Sequence, residues 1–218
     1  MRQTAKIIGI NGSPRKGWST HVLVEEALKG AATEGAETEL VNLYDLQFKG
    51  CISCFECKRK AGPSLGRCAV KDDIKPLLDR IDACDGLILG SPIYVGEVTA
   101  SVRAFIERLT FQYITYRKDR KSFFPRRIPV KLIYTMNIPA SAVEPNGYGV
   151  KFRFYEDLFA RLIGPAETLL STETWQTTDY GKYEMTMFDG DERKKRRETV
   201  FPEDKRKAFE MGAGILGR

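Results

Sequence analysis

AKIIGINGSPRKGWST, residues 5–20, decides the fold. Ala5 to Asn11 is a short apolar run that stops at Gly12-Ser13-Pro14, a turn signal. From Ser19 to about Glu34 the chain places Val22, Leu23, Ala27, Leu28 and Ala31 at helical spacing. A buried strand, a tight polar turn and a helix in that order open a βαβ unit, whose strand is apolar throughout because helices cover both faces.

The alternation continues downstream. ETELVNLYDL reads as a second strand, and KDDIKPLLDRIDACD as a helix with Asp72 or Asp73 near its start and Ile74, Leu77, Leu78 and Ile81 on one face. GLILGSPIYVG gives a third strand ending at Ser91-Pro92, followed by a helix from Thr99 to about Phe111. VKLIYTMN, residues 130–137, is a fourth strand, VKFRFYEDLFARLIG an amphipathic helix, and AETLLSTETW a fifth strand. The pattern predicts a single domain over residues 1–218 of class α/β. Its architecture is flavodoxin-like: a doubly wound, parallel, five-stranded sheet with helices on both faces. Two segments fall outside the pattern and are expected to be irregular: YRKDRKSFFPRRIP (116–129) and the tail 175–218.

At 218 residues and 42% hydrophobic content the chain suits a sizeable core. It has no apolar stretch long enough to cross a membrane and no signal-peptide profile, so a cytoplasmic protein is expected. The net charge of +6 favours anionic ligands but is too diffuse to point to nucleic acid.

Ligands of open α/β sheets bind beyond the carboxyl ends of the strands. After strand one, Gly12 permits a tight turn. Ser13, Ser19 and Thr20 offer hydroxyls beside exposed helix-start amides, and Arg15 and Lys16 add charge, which together make an anion site. This is neither a Walker A loop nor a dinucleotide fingerprint. After strand three, Pro92, Ile93, Tyr94, Val95 and Gly96 offer an aromatic and apolar wall with free amides, suited to a planar ring. Taken together the two loops describe sites for the phosphate and the ring of a flavin.

The cysteine-rich loop 49–70 holds Cys51, Cys54, Cys57 and Cys68 in CISCFECKRKAGPSLGRC. Overlapping C-x-x-C steps suit a [4Fe–4S] cluster. A structural zinc usually draws on two separated knuckles, and an unmetallated loop is the remaining reading. Lys49, Lys58, Arg59, Lys60 and Arg67 either offset the charge of a cluster or solvate the loop. Cys84 reads as a small core residue.

GSPRKGWST, the cysteine loop leading into KDD, and GSPIYVGEVTASVRAFIERL resemble the NAD(P)H-dependent FMN reductase superfamily, and within it the iron-sulfur flavoproteins. DYGKYEM and FPEDKRKAFEMG extend the resemblance toward the end of the chain. It implies FMN held by Ser13, Arg15, Ser19 and Thr20 at the phosphate, with its ring against residues 92–96. Ser19 stands where the family pattern has Asn, and the gap before Cys68 is longer than the compact family spacing. The resemblance also implies an NAD(P)H- or ferredoxin-linked oxidoreductase, a small acceptor or ferredoxin-like partner, and a homodimer or homotetramer. The alternatives are a cluster-free NAD(P)H:FMN or quinone reductase, a non-enzymatic electron carrier, and a zinc-stabilised nucleic-acid module.

No general acid or base stands out. His21, the single histidine, reads as a surface or packing residue, and hydride transfer to FMN needs no protein nucleophile. ERKKRR (192–197) reads as a solvated run. The aromatic and basic stretch 111–127 reads as an oligomer contact or a flap over the flavin. Trp175, Tyr180 and Tyr183 either line the pocket or pack the tail.

Overall fold

A computed structural model describes residues 4–217. Five long strands, β1 (Lys6–Asn11), β2 (Glu37–Asn42), β3 (Gly86–Tyr94), β5 (Val130–Thr135) and β6 (Ala166–Ser171), form a parallel sheet in the order β2-β1-β3-β5-β6. Counting only those five, this is the flavodoxin-like 2-1-3-4-5 order expected from the sequence. A two-residue strand, β4 (Glu97–Val98), pairs antiparallel with the end of β3.

Side chains of alternate strand residues enter separate layers, as the pleat requires. Ile7, Ile88 and Ile133 face α1 (Ser19–Thr33) and α6 (Phe201–Ala213). Ile8, Leu87, Leu89, Leu132 and Tyr134 face α2 (Lys75–Ala83), α3 (Ala100–Tyr113) and α4 (Tyr148–Leu162). Cys84 is buried in this second layer, and burial pushes its thiol up to about 12.

The tail is not irregular throughout. It carries α5 (Gly190–Thr199) and α6, and α6 closes one face of the sheet. Local signals support both helices: Asp189 caps α5 by accepting from the Asp191 and Glu192 amides, and Pro202 sits in the first turn of α6. Glycines let α1 and α6 approach closely. A Cβ on Gly212 would lie 1.8 Å from the Ala27 carbonyl oxygen, and one on Gly30 would lie 2.0 Å from that of Phe209.

Two further expectations are corrected. β3 runs on past Ser91-Pro92 to Tyr94, because β4 folds back and supplies a partner. ERKKRR is not merely solvated: within α5, Arg193 pairs with Glu173 at 2.8 Å and Arg196 with buried Asp204 at 2.9 Å.

Candidate functional site

The turn after β1 is held from three sides. Asn11 donates to Asn42 Oδ1 (2.9 Å) and to the Ser13 carbonyl (3.1 Å), and its own Oδ1 accepts from the Ser13 amide. The Gly12 amide donates to the Gly90 carbonyl at 2.8 Å, and the Thr99 hydroxyl donates to the Gly12 carbonyl at 2.9 Å. The loop is thereby fixed to β3 and to the start of α3.

Behind that loop, α1 begins without a cap. Trp18 occupies the capping position, no side chain bonds the first amides, and no acid lies in the first turn. An open helix start of this kind attracts anions through its unpaired N–H groups and its dipole. Ser13, Ser19 and Thr20 are buried beside it. The Thr20 and Thr135 hydroxyls lie 2.7 Å apart and tie the helix start to the end of β5. The Arg15 guanidinium stacks 3.3 Å over Trp18 and donates to the Gln176 carbonyl at 2.7 Å.

Ser13, Arg15, Ser19, Thr20, Pro92, Ile93 and Tyr94 converge on one cleft of about 510 Å³. Burial, and secondarily Tyr44, raise the Tyr94 hydroxyl above its usual range. Lys16 does not join the cleft lining and pairs with Asp45 at 2.6 Å. Val95 and Gly96 form the β3–β4 turn with φ of 49° and 79°, also outside the lining. Sequence reasoning missed Trp18, Thr135, Met136, Asn137, Thr174 and Gln176, which line the same cleft, and left Trp175 undecided. The strand-end rule would have found Thr135 to Asn137, since Thr135 ends β5 and the other two follow it directly. Both amide atoms of Asn137 and Oε1 of Gln176 are buried without a partner, which leaves donors and acceptors for a polar ring edge.

Cys51, Cys54, Cys57 and Cys68 line a second, shallow cavity, together with Phe55, Phe111, Gln112 and Arg108. Ser53 and Phe55 both have left-handed backbone (φ 54° and 60°), which winds the loop around Cys54. Cys57 is buried and Cys54 exposed. The Ser53 amide donates to Cys51 Sγ at 3.4 Å, and Arg108 Nε donates to Cys68 Sγ at 3.3 Å. Burial raises the Cys57 thiol, while the neighbouring Lys58 ammonium pulls it down. Lys58 also donates to the Phe111 and Gln112 carbonyls.

Among the described residues no three His, Cys, Asp or Glu side chains are grouped to hold a metal ion. This bears equally on a zinc ion and on a cluster. The four soft thiol donors are of the kind that would hold an iron-sulfur cluster.

The 116–129 segment packs beside this cavity and not over the strand-end cleft, so the flap reading is not met. Tyr116 stacks on Phe55 (6.3 Å between centroids), and Lys58 lies 5.7 Å from the Phe123 ring. α3 joins the two sites. Its start holds the turn after β1, and Arg108, nine residues after Thr99, faces the cysteines roughly 14 Å along the axis.

An iron-sulfur flavoprotein of Methanocaldococcus jannaschii is 43% identical over 103 residues, covering 47% of this chain and 51% of that protein. An iron-sulfur flavoprotein of Archaeoglobus fulgidus is 33% identical over 121 residues, 55% of this chain and 57% of that one. The matches thus span about half the length of these curated relatives. The NAD(P)H:quinone oxidoreductase from Methanothermobacter marburgensis has the same fold, with a TM-score of 0.69 at 14% identity over 98% of this chain and all of that one. Residues 5–128 match the NADPH-dependent FMN reductase family, and the chain belongs to that family, in the company of iron-sulfur flavoproteins.

Proposed function

We propose that this protein is an FMN-dependent oxidoreductase of iron-sulfur flavoprotein type. In this reading the strand-end cleft holds FMN, the four cysteines hold a [4Fe–4S] cluster, and electrons pass onward to a small acceptor or a ferredoxin-like protein. The observation that carries the flavin assignment is the cleft itself. It combines an uncapped helix start, a buried serine pair and unpaired amide groups between aromatic walls.

FMN supplies two-electron hydride chemistry with one-electron release, and a cluster carries single electrons. The protein's part is to bind and orient. Ser13, Ser19, Thr20 and Arg15 would hold the phosphate, while Ile93, Tyr94 and Trp175 enclose the ring plane. Asn137 and Gln176 offer its polar edge hydrogen bonds that they make with no protein group. Cys51, Cys54, Cys57 and Cys68 would ligate the cluster, with Lys58 and Arg108 placing positive charge beside the sulfurs.

A cluster-free NAD(P)H:FMN reductase is the second reading, favoured by the solvent exposure of Cys54. Anaerobic purification followed by flavin, iron and acid-labile sulfide analysis separates the two. Flavin with iron and sulfide supports the first reading, and flavin without iron after reconstitution leaves the second. Protein that takes up no FMN removes both. Sustained NAD(P)H oxidation with a small acceptor distinguishes an enzyme from an electron carrier.

A further inference from the structure

We infer that Arg197 of the C-terminal helix α5, which stands against Ser19 just outside the cleft lining, supplies charge to a phosphate bound at Ser19 and latches α5 onto the bound cofactor. The inference rests on the flavin reading and extends it to a residue outside the family-matched segment, residues 5–128.

Arg197 Nη1 donates to Ser19 Oγ at 3.2 Å, bridging 178 residues of sequence to reach the first residue of α1. The Ser19 hydroxyl accepts this bond, so its own proton remains free to donate to an anion. Behind the guanidinium, the Phe201 ring lies 3.9 Å from its carbon and shields that face from water.

The charges around it are unequal. Arg193 has Glu173 and Arg196 has Asp204, but among the described residues no carboxylate pairs with Arg197. Burial, and secondarily the charge on Arg196, push Arg197 below the usual arginine range. A half-buried cation without a counter-ion is costly. Here the cost is met when an anion arrives at Ser19. A dianionic phosphate at the uncapped start of α1 is such a counter-ion, and guanidinium suits it through paired N–H donors.

The assignment predicts a phosphate-specific effect, which FMN and riboflavin separate because they share the ring and differ in the phosphate. Arg197→Gln should weaken FMN binding roughly ten- to hundredfold, the worth of a charge-assisted hydrogen bond. Its affinity for riboflavin should stay within about twofold of wild type. Lys195→Gln, which removes an exposed charge from the same helix, should change neither. Equal FMN affinity in wild type and Arg197→Gln overturns the assignment, and so does an equal loss for FMN and riboflavin.

A measurement on unaltered protein covers the case of a variant that does not fold. Amide hydrogen exchange in α5 should slow when FMN binds and change far less with saturating riboflavin. Exchange in α5 that ignores the phosphate overturns the latch. Wild type that binds riboflavin and FMN equally removes the phosphate site and Arg197 with it. Wild type that binds neither removes the flavin reading as a whole.

Discussion

Arg108 Nε donates to Cys68 Sγ across 3.3 Å while the same guanidinium forks onto both carboxylate oxygens of Asp72. Arg108 is 2% exposed, so it is a buried cation on α3 that fixes one cysteine of the loop in place. Removing it leaves Asp72, itself largely buried, without a partner. Arg108→Met should therefore cost about 3 kcal/mol of stability, at the low end for breaking a buried pair because Asp72 keeps some water. Arg108→Lys keeps the charge but loses the fork and should cost about 1–2 kcal/mol. Urea midpoints at unchanged slope measure both. In cluster-loaded protein, Arg108→Lys should also lower the midpoint potential, because an N–H donor to sulfur favours the more negative, reduced state.

The cysteines divide by environment. Alanine at Cys51, Cys54, Cys57 or Cys68 should each abolish or sharply reduce iron and labile sulfide after anaerobic reconstitution, and leave FMN uptake intact. Cys84→Ala is the control. Cys84 is a protonated core side chain, so its loss should cost about 1 kcal/mol and leave iron content unchanged. A Cys54→Ala protein that keeps its iron would remove that residue from the ligand set.

The sheet was legible because parallel strands buried on both faces leave uninterrupted apolar runs, as in Lys6–Asn11 and Gly86–Tyr94. The half of the cleft formed by Ser13 to Thr20 and Pro92 to Tyr94 was legible for a related reason: both follow directly from such runs. Trp175 and Gln176 were not. They lie beyond the end of β6, two strands away from β1, and only the assembled sheet brings that end to the cleft that the β1 turn lines. α5 was hidden because its composition is almost wholly polar, so no apolar periodicity marks it. Its value lies in Arg193, Arg196 and Arg197, whose partners lie outside the helix, and that of Arg197 at the other end of the chain.

Val95 occupies the left-handed region at φ 49° with its side chain fully exposed at the β3–β4 turn. A β-branched residue is strained there, and Gly96 follows it at φ 79°, the pattern of a tight hairpin that favours Asn-Gly. Val95→Asn should therefore stabilise the protein by about 1 kcal/mol. Thermal unfolding should show a higher midpoint. An unchanged or lower midpoint would mean that the turn carries no strain at this position.

Asp82 links stability to pH. Burial holds its carboxyl above the ordinary 3.8, although the Tyr113 hydroxyl bond and Arg67 pull it down. The folded protein therefore binds this proton more tightly than the unfolded chain. Its stabilising contribution is complete below the unfolded value and is lost as pH rises through the folded value. Asp82→Asn removes the titrating group, so the ratio of its stability to wild type should rise between pH 4 and pH 7. Denaturant unfolding at the two pH values measures this change.

Arg117, Lys118, Arg120 and Lys121 are exposed beside Tyr116, which is 71% exposed and stacks on Phe55 at the mouth of the cysteine cavity. Only Asp119 opposes these charges within the run, and it pairs with Arg117. A basic rim around exposed aromatics suits an acidic electron-transfer protein, because like charge keeps cationic carriers away while opposite charge speeds encounter. Replacing Lys118, Arg120 and Lys121 together by Glu should slow electron exchange with an acidic ferredoxin-like carrier roughly 10- to 100-fold at low ionic strength. Salt should shrink that difference toward nothing as the Debye length falls below the reach of the patch. Turnover with a small neutral acceptor should be unchanged, since the three side chains lie outside the strand-end cleft. Stopped-flow measurements across ionic strength read both effects, and a rate insensitive to the reversal would place the partner on another face.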